Sequence, residues 1–170
     1  SDFLREKLDY SLEMAVTDAL TGLHNRRYMA GQLQALVNRA VHGGSSVAVL
    51  LMDIDHFKSV NDSFGHDAGD EVLTEFAVRL ATNVRAVDLP CRMGGEEFLV
   101  IATLPAAEAD LLPATLCAAI AALPHPVTAS VGAAITQWSS VPDAGAAIES
   151  LIATADAAMY QAKRDGGNKA

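Results

Sequence analysis

The sequence predicts an α+β domain in which a central sheet is covered by helices, an α/β sandwich-like arrangement. Three observations carry that prediction. SVAVLLMDI, residues 46–54, is a continuous β-rich apolar run, as expected of a central strand buried on both faces. Residues 89–93 and 98–102 flank a Gly94-Gly95-Glu96-Glu97 turn, which marks a hairpin. Amphipathic stretches at helical spacing lie between the strands, as a mixed sheet covered by helices requires.

In chain order, residues 1–16 place Leu4, Leu8, Leu12 and Ala15 at helical spacing, with charges between them. This helix either packs on the domain or forms a coiled linker to an upstream sensor. DALTGLHN, residues 18–25, is rich in turn formers. RRYMAGQLQALVNRAV then reads as a helix with Met29, Leu33, Leu36, Val37 and Val41 on one side, stopped by Gly43-Gly44. After the apolar strand, DHFKSVNDSFGHD reads as a short helix and loop. Residues 68–84 carry Val72, Leu73, Phe76, Ala77 and Leu80 on one helical stripe. The hairpin follows, then a helix over 106–123, a strand over 125–136, and a last helix with Ile148, Leu151, Ile152, Ala155 and Met159 facing inward.

At 170 residues the chain suits one domain with a substantial core. No uninterrupted apolar run approaches the ~20 residues of a membrane-spanning helix. The start, SDFLREKLDYSLEM, has neither a signal-peptide apolar core nor an initiator Met, so an excised piece of a larger cytoplasmic protein is expected. The two cysteines, Cys91 and Cys117, lack metal-type spacing and suit a reducing compartment. A net charge of −9 argues against a nucleic-acid surface, while an anionic small molecule stays open if a metal ion screens it.

Two acidic elements stand out: Asp53-Ile54-Asp55 at the mouth of the apolar strand, and Glu96-Glu97 in the hairpin turn. Alone, the turn reads as a solvated hairpin, and the strand-end aspartates read as helix caps. The sixth-position glycine and closing glutamate of a calcium loop are missing, and His56 and His66 lack the partners of a zinc site. If the two strands are neighbours, their carboxylates converge at one sheet edge. Such a set of hard oxygens suits Mg²⁺ and phosphoryl or nucleotidyl transfer. Gly94 and Gly95 would let the backbone approach a nucleotide closely.

DALTGLHNRR, MDIDHFKSVNDSFGHDAGDEVL, RMGGEEFLV, ASVGAAIT and ADAAMYQAKRDGGN follow one another in an order and spacing that resemble the signatures of GGDEF domains, the diguanylate cyclases. The resemblance runs from Asp18 to Asn168. With NVRAVDLPCRMGGEEF included, it is strongest to the output domains of PleD-type response regulators.

The resemblance implies a linker helix over 1–17 and a GGDEF domain over 18–170. The domain would be a nucleotidyl-cyclase-like palm with a central, mostly antiparallel sheet. It also implies a reaction, in which two GTP molecules, one on each domain of a homodimer, condense to cyclic di-GMP and two pyrophosphates. An upstream receiver or sensor domain is implied; neither nucleic acid nor membrane is expected as a partner.

Carried over residue by residue, Asp53 and Glu97 match the Mg²⁺ ligands (Mn²⁺ being the alternative), with the Ile54 carbonyl assisting. Glu96 matches the residue near the attacking 3′-hydroxyl. Asn61 and Asp70 match the guanine readers; a carboxylate accepts from N1–H and the 2-amino group, donors that adenine lacks. The backbone N–H groups of His56 and Phe57 match the phosphate cradle, beside Gly95, with Lys58 and Lys163 as cations. Arg85 and Asp88 match the R-x-x-D product-inhibition site, with Arg39 as an auxiliary arginine. A catalytically weak domain that only binds GTP or cyclic di-GMP is the alternative.

Three departures from the family pattern carry expectations. Gly166-Gly167-Asn168 stands where the family has Gly-Arg-Asn, which predicts weaker GTP binding, partly offset by Lys163 or Arg164. Arginine at position 167 is accordingly expected to lower KM. Residues 106–122 hold no Lys or Arg, which removes the second arginine of inhibition crosslinked between domains. The chain also ends at Ala170, short of the family's last strand, which is expected to weaken the sheet edge.

Overall fold

The apolar run forms the middle of the sheet. In the computed structural model, which describes residues 2–121 and 127–167 and not the side chains of 12–14, β1 (Ser46–Ile54) lies between two antiparallel neighbours. The strand order is β2-β3-β1-β4, with β2 (Leu89–Gly94), β3 (Glu97–Leu104) and β4 (Ala129–Thr136). Every strand pairing in this sheet is antiparallel, so the expected mostly antiparallel sheet is borne out. The helices are α1 (Asp2–Val16), α2 (Arg26–Gly43), α3 (Phe57–Phe64), α4 (His66–Thr82), α5 (Ala106–Ala121) and α6 (Ala144–Arg164).

Strand periodicity divides the core into two layers. Ala48, Leu50, Met52 and Ile54 of β1 face α4 and α5, packing with Val72, Leu73, Phe76, Leu80, Leu116 and Ile120. Val47, Val49 and Leu51 face the other way, onto Leu36, Val37 and Ala40 of α2 and Ile148, Ala155 and Met159 of α6. Successive side chains point to opposite faces, so one apolar strand supplies both layers. The sheet and α6 come into backbone contact at Gly132 of β4. A methyl group there would overlap the Ala155 carbonyl and stand 2.9 Å from Met159 Cα.

Local chemistry sets the element ends. Asn25 caps α2 by accepting the Tyr28 N–H at 3.0 Å, and Gly44 closes it in the left-handed region at φ 63°. Asp143 caps α6 through the Ala146 N–H at 2.9 Å. The helix expected from Ala68 begins two residues earlier, at His66, directly after the Gly65 junction with α3. β4 starts at Ala129 rather than at 125; Val127 and Thr128 are not strand, and residues 125–126 lie outside the described residues. Leu4 and Leu8 of α1 are 65% and 60% exposed, whereas Ala15, nearer the domain, is partly buried. Among the described residues, no helix is long and apolar enough to cross a membrane.

Candidate active site

Antiparallel register brings the two acidic elements together. Asp53, near the end of β1, lies directly opposite Glu97, the first residue of β3. The Ile54 N–H donates to the Glu96 carbonyl at 3.2 Å, which fixes the hairpin turn against the strand end. The turn has two residues, since Gly94 pairs with Glu97 across Gly95-Glu96, and Gly95 sits at φ 49°. A β-bulge between Arg92 and Gly94 precedes it. The condition set by the sequence, that the two strands be neighbours, is met.

The carboxylates are crowded. Burial pushes the Asp53 carboxyl above its ordinary value, Lys163 opposes this, and Glu96 and Asp55 add to it. Burial likewise raises Glu97, reinforced by Asp53 and Asp156 and opposed by Arg26. Among the described residues, Asp53 Oδ1 is buried without a hydrogen bond and lies 3.4 Å from the Lys163 ammonium. No cluster of three His, Cys, Asp or Glu side chains suited to a metal occurs among the described residues. Mg²⁺ needs only one or two carboxylates and completes its shell with water and phosphate, so Asp53 and Glu97 fit it.

Asp55 takes a different position from Asp53. It is 8% exposed, accepts from the Thr128 and Ser130 hydroxyls at 2.6 Å each, and lies 3.9 Å from Lys163 Nζ. These bonds tie the ends of β1 and β4 together. Next to it, His56 has φ 55°, the one positive φ outside glycine among the described residues. Such a conformation costs on the order of 1 kcal/mol and concentrates at functional sites. His56 occupies the N-cap position of α3 without a side-chain capping bond, so the backbone of His56 and Phe57 lies at a helix start. Asp55, His56, Lys163, Gly166 and Gly167 line a cleft of about 240 Å³.

Gly167 has φ 77°, and a Cβ there would stand 2.7 Å from Asp55 Oδ2. This geometry counts against the expectation that arginine at this position improves binding, because a side chain there meets a positive φ and the Asp55 carboxylate. Asn168 lies outside the described residues.

Asn61 of α3 and Asp70 of α4 sit on consecutive helices joined at Gly65. Neither side chain makes a hydrogen bond or ion pair among the described residues, and Lys58 is likewise exposed and unpaired.

Arg85 and Asp88 occupy the turn before β2, at the end away from Gly94. The Asp88 carboxylate is buried and accepts from the Arg85 backbone N–H at 2.8 Å and from its guanidinium at 3.2 Å. Arg85 also donates to the Thr103 carbonyl, and Arg39 reaches the Val87 carbonyl at 3.3 Å. The three expected inhibitory-site residues thus meet on one turn.

Sequence reasoning missed a clamp on the glycine turn. Arg92 donates to the Gly95 carbonyl at 3.0 and 2.8 Å and to both Asp18 oxygens at 3.2 and 3.1 Å. Asp18 also accepts from the Thr21 N–H and hydroxyl at 2.9 and 2.7 Å. Burial alone would raise the Asp18 carboxyl, but Thr21 and Arg92 outweigh it and hold the value below the ordinary range. Both residues stand in quoted motifs, but 74 positions separate them.

Comparison with known proteins identifies the family of this chain. The pattern of the family described as diguanylate cyclase, GGDEF domain, matches residues 15–169. The response regulator PleD of Caulobacter vibrioides is 52% identical over 178 residues, covering 99% of this chain and 38% of PleD. The chain thus spans well under half of that relative. Among solved structures, the coiled coil and GGDEF domain of DgcB from Caulobacter crescentus, in complex with c-di-GMP, superposes with a TM-score of 0.82 at 30% identity, covering 99% of this chain and 91% of that one. The active GGEEF domain of a diguanylate cyclase from Vibrio cholerae gives 0.73 at 28% identity, covering 85% and 94%. On these grounds the chain belongs to the GGDEF family of diguanylate cyclase domains.

Proposed function

We propose that the chain condenses two GTP molecules into cyclic di-GMP and two pyrophosphates, with two domains facing each other in a homodimer. The observation that carries this reading is the pairing of Asp53 with Glu97 across neighbouring strands, with Glu96 beside them and Lys163 3.4 Å from Asp53. Asp53 and Glu97, with the Ile54 carbonyl, would hold a divalent cation, Mg²⁺ or Mn²⁺. When bound, that cation screens the triphosphate and stabilises charge developing on phosphate oxygens.

The chain's own groups do the rest. Glu96 orients the 3′-hydroxyl and accepts its proton. The oxygen bonds to the α-phosphorus of the GTP on the facing domain, and the bond from that phosphorus to the β-phosphate oxygen breaks. The backbone of His56, Phe57 and Gly95, with Lys58 and Lys163, steadies the phosphates that leave as pyrophosphate. Asn61 and Asp70 read guanine. Their unspent hydrogen-bonding groups support this role, because a site built for those donors rejects a base that lacks them.

Arg85, Asp88 and Arg39 are proposed to bind the product and slow the enzyme. An upstream receiver or sensor domain and a cytoplasmic location complete the reading.

The test is to strip bound nucleotide, add GTP and Mg²⁺ at high protein concentration, and identify products by mass, with Glu96→Ala beside the parent. Cyclic di-GMP from the parent alone supports the cyclase. Intact GTP at every protein concentration refutes it and leaves a nucleotide-binding module.

A further inference from the structure

We propose that Gly69 is a specificity-determining residue: its missing side chain forms the slot that holds Asn61 in place beside Asp70. This rests on the reading that Asn61 and Asp70 recognise guanine.

Gly69 lies buried in the first part of α4, without the positive φ that would call for glycine. A glycine within a helix costs about 1 kcal/mol relative to alanine, so local propensity argues against it. The tertiary contact explains it. A Cβ at position 69 would overlap Asn61 Oδ1 outright, stand 3.0 Å from Asn61 Cγ and 3.2 Å from the Phe57 ring. All three atoms belong to side chains. The situation differs from Gly132, where the obstacle is the α6 backbone. At Gly69 the clash is relieved by displacing Asn61, with the fold left intact.

The backbone around Asn61 is held independently. Its carbonyl accepts from the Gly65 N–H at 2.8 Å, and the Gly65 carbonyl accepts from the Gly69 N–H at 3.2 Å. The Asn61 amide, in contrast, makes no hydrogen bond among the described residues. Its position is set by shape, and Gly69 supplies that shape. A methyl group would therefore move chiefly one base-reading group, with a shift of a few tenths of an ångström at the Phe57 ring and no contact with the metal end of the site.

The experiment compares the full chain with Gly69→Ala, Asn61→Ala and the double variant. It measures equilibrium binding of GTP and ATP by calorimetry, KM and kcat for GTP, and the urea midpoint. Gly69→Ala is expected to weaken GTP binding by on the order of tenfold, the scale of one hydrogen bond, and to narrow the preference over ATP. The effect falls on KM more than on kcat, and the urea midpoint does not drop. The double variant binds GTP no worse than Asn61→Ala, because the displaced group is already gone.

Parental GTP affinity in Gly69→Ala, with Asn61→Ala impaired, would overturn the role of Gly69 alone. Unaltered affinity in Asn61→Ala would remove the guanine reading and this inference with it. If Gly69→Ala unfolds, the double variant decides: recovered folding supports the slot, and failure to fold refutes it in favour of packing against Phe57.

Discussion

Replacing Glu97 with glutamine is expected to destroy cyclisation while making the metal-free protein more stable. Asp53 and Glu97 are directly opposed on antiparallel strands, a geometry that places Cβ atoms about 5 Å apart. Two unit charges at that distance repel by about 0.8 kcal/mol in water and about 3 kcal/mol at an effective dielectric of 20. Glu97 is half-buried, and Lys163 offsets part of the Asp53 charge, so a gain of about 1 kcal/mol is expected.

The sign in pH follows from the raised carboxyl. Folding favours protonated Glu97, so the parent's advantage from it is fully present below the ordinary value of 4.5 and is lost as pH rises through the higher folded value. Glutamine mimics the protonated form and loses nothing. The gain therefore shows at pH 7 and fades below 4.5.

The assay is urea unfolding in EDTA at pH 7 and pH 4, repeated with Mg²⁺. A cation at a hundred times its dissociation constant would stabilise the parent by about 2.7 kcal/mol, and Glu97→Gln far less. A variant less stable than the parent at pH 7 in EDTA would refute the reasoning. So would a gain of equal size at pH 4.

Arg92→Ala is expected to lower the cyclisation rate and to cost about 1–3 kcal/mol, because the Gly95 carbonyl loses its Arg92 bonds and Asp18 keeps only those from Thr21. Asp18→Asn, which leaves the Gly95 bonds in place, is expected to be milder; equal rate losses would argue against the clamp. Gly167→Arg is expected to destabilise by about 1–3 kcal/mol and to raise KM, through its φ of 77° and the Asp55 carboxylate. Unchanged stability with a lower KM would contradict this. Burial pushes the Cys91 thiol from 9.0 up to about 12. Its contribution is therefore complete below pH 9.0 and declines above it by about 1.4 kcal/mol per pH unit, a slope absent in Cys91→Ala urea titrations.

Much of this protein was legible in the chain. The run from Ser46 to Ile54 announces a strand buried on both faces, and that strand supplies both core layers. Asn25, Gly44 and Asp143 mark helix ends through bonds to residues only three or four positions away. The hairpin and its glutamates were visible because a turn is a local event. Boundaries were less legible: α4 starts at His66 because Gly65 ends α3 and begins α4 at once, a junction that apolar periodicity does not register.

The sequence by itself determined the family, the order of elements and the residue types able to hold a cation and a nucleotide. Each of these rests on motifs a few residues long or on helical and strand periods. Only the tertiary structure decided how those motifs meet. It set Asp53 opposite Glu97, gave Asp55 to two hydroxyls of the β4 region, clamped Gly95 through Arg92 to Asp18, and fitted Asn61 against Gly69. It also set Gly167, where the family pattern has arginine, at a positive φ beside the Asp55 carboxylate. These outcomes depend on distances between residues remote in the chain, and such distances exist only once the sheet register and the helix packing are set.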